Sequence, residues 1–191
     1  MLRFLSMKLT TYSHLNQFLI VTAAIFALCS LMFMFGFSRS SDEKRSDDAR
    51  RMEVMQMYEE YRQSFPGIPE IDAKRAIELA KTEKVVFIDE RKPDEQAVSM
   101  LPNSITAVEF LRDPTRYDGY TKIGYCTISY RSGKLARKMN KKGIEVYNLR
   151  GGILAWVHSG GKVYDKNGAT HRIHVYGPKW DLAPADYQTI W

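Results

Sequence analysis

Cysteine is scarce in this chain, with two among 191 residues, Cys29 and Cys126. Cys29 lies inside a long apolar run and Cys126 far downstream, so the pair is badly placed for a structural disulfide. Neither cysteine has a second one at the short spacing of a zinc site. Histidine is also sparse, with four. His171 and His174 fall in an expected strand and read as solvated or packing residues, so no metal is expected. Missing too is any run of Lys and Arg interleaved with aromatics. The formal charge is +6, from 28 basic and 22 acidic residues, yet nothing in its arrangement points to nucleic acid. The excess is assigned partly to a membrane flank and partly to attraction of small anions. No internal repeat or low-complexity tract is present.

Charge is absent over residues 18–37, FLIVTAAIFALCSLMFMFGF. A helix of that length covers about 30 Å, the hydrocarbon thickness of a bilayer. A soluble helix so long would carry a polar stripe, and this one has none. A cleaved signal peptide has a shorter apolar region, and here the run continues through Leu31, Met32, Phe33 and Phe35. A lipoprotein site at Cys29 is opposed by the bulky Leu28 before it. The expectation is a retained single-pass transmembrane anchor in contact with membrane lipid. Arg3 and Lys8 precede the span, and Arg39, Lys44, Arg45, Arg50 and Arg51 follow it, which favours a cytoplasmic-facing domain.

The expected organisation is a short tail (1–17), the anchor (18–37), a linker and juxtamembrane helix (38–69), a main domain (70–162) and a C-terminal extension (163–191). The helix, over 49–65, would place Met52, Met55, Tyr58 and Tyr61 on one side. Asp72 is suited to cap a helix over 73–82 with Ala76, Ile77 and Ala80 inward. The run VVFID at 85–89 reads as a strand buried on both faces. A polar loop with Asp94 and Glu95 follows, then a short strand at 104–106 and a helix around Glu109 that stops at Asp113-Pro114. Further strands are expected at 122–125 and 144–149, with a helix over 134–142 between them and a short helix after Gly151-Gly152 ending near His158. This alternation predicts an α/β domain with a mainly parallel sheet flanked by helices. Segments 162–164 and 172–176 suggest a terminal hairpin turning near Asn167-Gly168.

The chemistry concentrates in Tyr125 to Gly133, Y-C-T-I-S-Y-R-S-G. A strand delivers Cys126, and a helix follows the loop. Inward backbone N–H groups and the positive end of the helix make an anion site. Both features favour the thiolate, the nucleophilic form of Cys126. The expected ligand-binding residues are Thr127, Ile128, Ser129, Tyr130, Arg131 and Ser132. Arg131 and Ser132 supply donors for an oxyanion such as a thiosulfonate group, and Tyr130 reads as a loop-packing aromatic. A buried, inert cysteine is the plain alternative, and the arginine, hydroxyls and following helix argue against it.

This loop resembles the active-site loop of the rhodanese-like sulfurtransferases. Gly151-Gly152-Ile153-Leu154-Ala155-Trp156 is similar to that family's GGxxAW element, and Val86 to Arg91 to its strand ending in Asp-x-Arg. The resemblance covers residues 70–162. The family often carries Gly-His-Ile-Pro-Gly-Ala, whereas Ser99-Met100-Leu101-Pro102-Asn103-Ser104 stands here and keeps only the proline. Four residues separate Cys126 from Arg131, and this shorter loop resembles the sulfur-transferring type more than the related phosphatases, which have one more. The resemblance implies a Cys126 persulfide formed from a small sulfur-containing anion such as thiosulfate. A thiol or cyanide-like acceptor then removes the sulfur, without metal or organic cofactor. Asp89 and Arg91 are expected to support the loop and not to react. A tethered binding or regulatory module, or a phosphatase, are the alternative functions.

Overall fold

The run Val85–Asp89 forms the strand its apolar sequence predicts, buried over all but its first residue. The computed structural model describes residues 47–191, and the expected anchor at 18–37 lies outside them. Among the described residues no helix is long and apolar enough to cross a membrane. Five parallel strands make the main sheet: β1 (Glu70–Ile71), β2 (Val85–Asp89), β3 (Ser104–Thr106), β4 (Thr121–Tyr125) and β5 (Tyr147–Leu149), in the order β1-β5-β4-β2-β3. β4 is therefore the middle strand, paired with β2 and β5 along both edges.

Helices cover both faces. One layer comprises α1 (47–62), α2 (Ala73–Thr82) and α6 (Gly152–His158), whose Val54, Tyr58, Ala76, Leu79, Leu154 and Trp156 pack on Phe87, Ile123 and Leu149. The other comprises α4 (Ala107–Arg112) and α5 (Tyr130–Asn140), whose Phe110, Leu135, Ala136 and Met139 pack with Ile88 and Val146. The cap at Asp72 forms as expected, its carboxylate accepting from the Arg75 N–H at 2.9 Å. The inward stripe of α2 differs from expectation, being Ala73, Ala76 and Leu79, with Ala80 exposed. In α1 the inward residues are Val54, Met57 and Tyr58, while Met52 is 68% exposed. A Met on a helix is apolar in either setting, so spacing alone does not orient the stripe.

Three further differences matter. The supposed polar loop at Asp94-Glu95 is a short helix, α3 (Pro93–Val98), started by proline at its first position and closed by the Glu95 carboxylate on the Lys92 N–H at 2.9 Å. β5 begins only at Tyr147. The terminal hairpin is tighter than expected: β6 (Val163–Asp165) pairs with β7 (Gly168–Thr170) across Lys166-Asn167, where the Asn167 N–H bonds the Asp165 carboxylate at 2.7 Å. β8 (Arg172–His174) instead pairs in parallel with β9 (Gln188–Ile190).

A buried polar cluster ties the ends of β2 and β4 together. Asp89 accepts from Arg91 Nη2 at 2.7 Å, Arg91 Nε at 2.9 Å and the Tyr125 hydroxyl at 2.6 Å. Arg91 also reaches the Ser99 carbonyl at 2.6 Å. Both charged side chains are 0% exposed, so neither tolerates loss of its partner. Replacing Arg91 by leucine leaves a buried carboxylate without its counter-charge and should cost about 3–5 kcal/mol in urea unfolding. A loss below about 1 kcal/mol, the level of a surface pair, would show that the pair does not hold the strand ends.

Candidate active site

Cys126 follows the last residue of the middle strand and is 2% exposed. The chain turns at Ser129, which adopts a left-handed conformation at φ +89°, and α5 begins at once with Tyr130. The helix was expected to start near Lys134. It starts earlier because this single turn redirects the chain, and the Gly133 N–H closes the first turn on the Ser129 carbonyl at 2.9 Å. Arg131 and Ser132 therefore sit in the first helical turn, whose N–H groups have no intrahelical acceptor and carry the positive end of the helix dipole.

The sulfur has one hydrogen-bond donor at short range. The Ser129 N–H lies 3.2 Å from Cys126 Sγ and the Ser132 hydroxyl oxygen 3.7 Å. Ser132 gives its single hydroxyl proton to Asn148 Oδ1 at 2.7 Å, and the Asn148 amide donates to the Ser129 carbonyl at 3.2 Å. The Ser129 hydroxyl bonds the Leu149 carbonyl. Behind the loop, the Ile153 N–H donates to the Cys126 carbonyl at 2.9 Å and the Leu154 N–H to the Thr127 carbonyl at 3.4 Å. Gly152 makes this approach possible: its φ is +58°, and a Cβ there would stand 2.3 Å from the Cys126 carbonyl oxygen.

Arg131 reaches the site entrance but is not free. Its Nη1 and Nη2 bond the two Glu95 oxygens at 2.5 and 2.7 Å, and Nη2 also meets the Thr127 hydroxyl at 3.2 Å. Burial opposes its charge, but the Glu95 hydrogen bonds and the negative charges of Cys126 and Glu95 outweigh it and hold the guanidinium above its ordinary range. Glu95 is 1% exposed. Burial alone would raise its pKa, yet Arg131 and the Lys92 N–H hold it below the usual carboxylate range.

Every loop residue singled out in the sequence gathers here. Ile128 is buried in the core, and Tyr130 is 40% exposed, edge-on to Tyr61 at 5.5 Å and to Phe65 at 5.4 Å between centroids. A pocket of about 290 Å³ opens over Cys126, walled by Tyr61, Tyr130, Tyr176 and Trp180 and by the loop. Asp89 and Arg91 do not line it. Sequence reasoning missed Glu95, Asn148, Tyr61, Tyr176 and Trp180. Pro93 at a helix start could have placed Glu95 at the third position, and Asn148 is a lone polar residue in a core strand. His171 pairs with Asp186 at 3.2 Å and stacks on Tyr187, and among the described residues no cluster of side chains could hold a metal.

The sequence pattern of the rhodanese-like domain matches residues 72–159. The chain is 34% identical over 99 residues to a sulfurtransferase of Allochromatium vinosum, an overlap of 49% of this chain and 92% of that protein. It belongs to the rhodanese-like domain family. It is also 28% identical over 94 residues to an uncharacterised protein of Synechocystis, covering 47% of this chain and 52% of that one. A solved rhodanese-related protein from Thermoplasma volcanium is 25% identical with a TM-score of 0.42, over 50% of this chain and 96% of that one. The rhodanese-like match includes Cys126, Glu95, Arg131 and Asn148 but not Tyr61, Tyr176 or Trp180.

The Glu95 pair has a definite pH signature. A carboxylate with a depressed folded pKa contributes stability that is present above its unfolded pKa, near about 4.3, and is lost as pH falls through the lower folded value. Glu95→Gln should therefore be less stable than the parent at pH 6, and the gap should narrow on acidification below about pH 4, the unfolded carboxylate range. Urea unfolding of both proteins across this range checks it. A gap independent of pH would mean that the ion pair is not its source.

Proposed function

We propose that this chain is a sulfurtransferase that carries sulfur as a persulfide on Cys126. The observation that carries the reading is a buried thiol that accepts the Ser129 N–H at 3.2 Å at the start of a helix, with the Ser132 hydroxyl oxygen 3.7 Å away. In the first step the Cys126 thiolate attacks the outer sulfur of a thiosulfate-like donor. The donor's S–S bond breaks with its electron pair leaving on the oxidised sulfur, and a new S–S bond forms at Cys126. The Ser129 N–H and the helix start that face the thiolate then face the terminal persulfide sulfur, and a thiol or cyanide-like acceptor removes it. Glu95 keeps Arg131 at the entrance, where the guanidinium orients the oxyanion of the donor. The name carried by the Allochromatium vinosum relative supports the same class of reaction. The apolar run at 18–37 supports a membrane-surface location for this activity, and the five basic residues after it, against two before it, support the cytoplasmic side.

The decisive experiment is mass spectrometry of the protein after incubation with thiosulfate. One added sulfur atom on Cys126 is expected in the parent, and none in Cys126→Ser, which should also form no thiocyanate from cyanide. Thiocyanate formation by the variant at the parental rate would overturn the assignment. Loop size offers a second check. A glycine inserted between Ser129 and Tyr130 displaces the left-handed turn from the helix start and should weaken sulfur transfer while favouring hydrolysis of aryl phosphates. Unchanged thiosulfate turnover would show that loop length does not select the substrate.

A further inference from the structure

The pocket over Cys126 has walls that sulfur transfer from an inorganic anion does not need. Tyr61 comes from α1, and Tyr176 and Trp180 come from the segment after β8, so three of its four aromatic residues lie outside the rhodanese-like match. They are organised as two edge-to-face pairs, Tyr61 with Tyr130 at 5.5 Å and Tyr176 with Trp180 at 5.1 Å. Tyr176 is held at φ +72°, a conformation disfavoured for tyrosine, with its N–H on His174 Nδ1 at 3.0 Å. That turn sets its ring against the Arg131 guanidinium, 5.1 Å from the centroid.

Charge and shape together restrict what fits. Arg131 already gives two nitrogens to Glu95, so a small divalent anion meets a guanidinium whose charge is largely balanced. Such an anion also gains nothing from the rings, whose faces are electron-rich. A monoanion with a flat apolar body gains on both counts, since less charge is desolvated and the body packs between the aromatic pairs. Further cations surround the entrance: Lys92 lies 5.7 Å from the Tyr176 ring, Lys134 4.5 Å from Tyr130 and Lys179 5.8 Å from Trp180. These draw in an anion of either kind, whereas the walls discriminate by its body.

We infer that the preferred sulfur donor is an aromatic thiosulfonate monoanion, R–SO2–S⁻, whose ring sits among Tyr61, Tyr130, Tyr176 and Trp180. The inference rests on the sulfur-transfer reading above. The Cys126 thiolate attacks the terminal sulfur, the S–S bond of the donor breaks, and its electron pair leaves on the sulfinate, R–SO2⁻. One S–S bond is formed and one broken, and the two negative charges end on the persulfide and the sulfinate. Tyr61, Tyr176 and Trp180 act as specificity residues and take no part in bond making.

The test compares benzenethiosulfonate with methanethiosulfonate as donors to the full chain, reading kcat/KM for persulfide formation. A preference of roughly tenfold or more for the aromatic donor is expected from several ring contacts, and this ratio should collapse in Trp180→Ala and in Tyr61→Ala. Binding of the unreactive benzenesulfonate to Cys126→Ser, by calorimetry against methanesulfonate, reads the same wall without turnover. Equal rates for the two donors, with equal binding of the two sulfonates, overturn the inference and leave sulfur transfer standing. Failure of every donor to place sulfur on Cys126 overturns both.

Discussion

Two amides at the start of α6 govern the reactive loop. By engaging the carbonyl oxygens of Cys126 and Thr127 from behind, Ile153 and Leu154 fix which way those peptides face. A peptide whose oxygen is held on one side turns its N–H toward the other, and the next N–H along the loop, that of Ser129, meets Cys126 Sγ at 3.2 Å. The arrangement requires the α6 backbone to approach the loop more closely than any side chain allows, which is why position 152 has no Cβ. The GGxxAW element and the cysteine loop are thus two halves of one contact, though 24 residues separate Cys126 from Gly151.

Two ion pairs flank this contact and do different work. Asp89 and Arg91 are wholly enclosed and bond the Tyr125 hydroxyl, one residue before the cysteine. They fix the end of β4, and their chemistry is spent on each other. Glu95 and Arg131 meet at the edge of the pocket, where Arg131 is 26% exposed and Glu95 only 1%. The buried carboxylate keeps the more accessible guanidinium at the entrance, so Arg131 is oriented before any anion arrives. This arrangement lowers the entropy cost of binding while giving up part of the guanidinium's attraction for anions.

The elements legible in the sequence are those in which local signals agree. VVFID is apolar up to its final Asp89 and lies inside the sheet, between β4 and β3. Asp72 is a good capping residue at a helix start, and Asp113-Pro114 ends α4 where expected. The cysteine loop was legible because its residues are contiguous. Its supports were not, because Glu95 and Asn148 reach it from α3 and β5, 36 and 16 residues away from Arg131 and Ser132. The start of α5 escaped because it depends on a left-handed serine, which has no compositional mark. The tail was misread because Arg172–His174 has the alternation of a hairpin strand, while its partner lies 16 residues further on and runs parallel.

The flanks that wall the pocket are fastened to each other and to the domain. Arg50 of α1 donates to the Ala183 carbonyl at 3.3 Å, the Ala185 N–H bonds Asp47 at 2.9 Å, and His158 of α6 meets the Leu182 carbonyl at 2.7 Å. Ser99, beside the Asp89 cluster, donates to the Arg172 carbonyl at 2.7 Å. Bonds between α1 and the C-terminal segment therefore set the distance between Tyr61 on one side and Tyr176 and Trp180 on the other. With Cys126 only 2% exposed, these rings line the pocket above the sulfur. The amide loop sets the surroundings of the sulfur, and the flanking segments set the shape of the pocket over it.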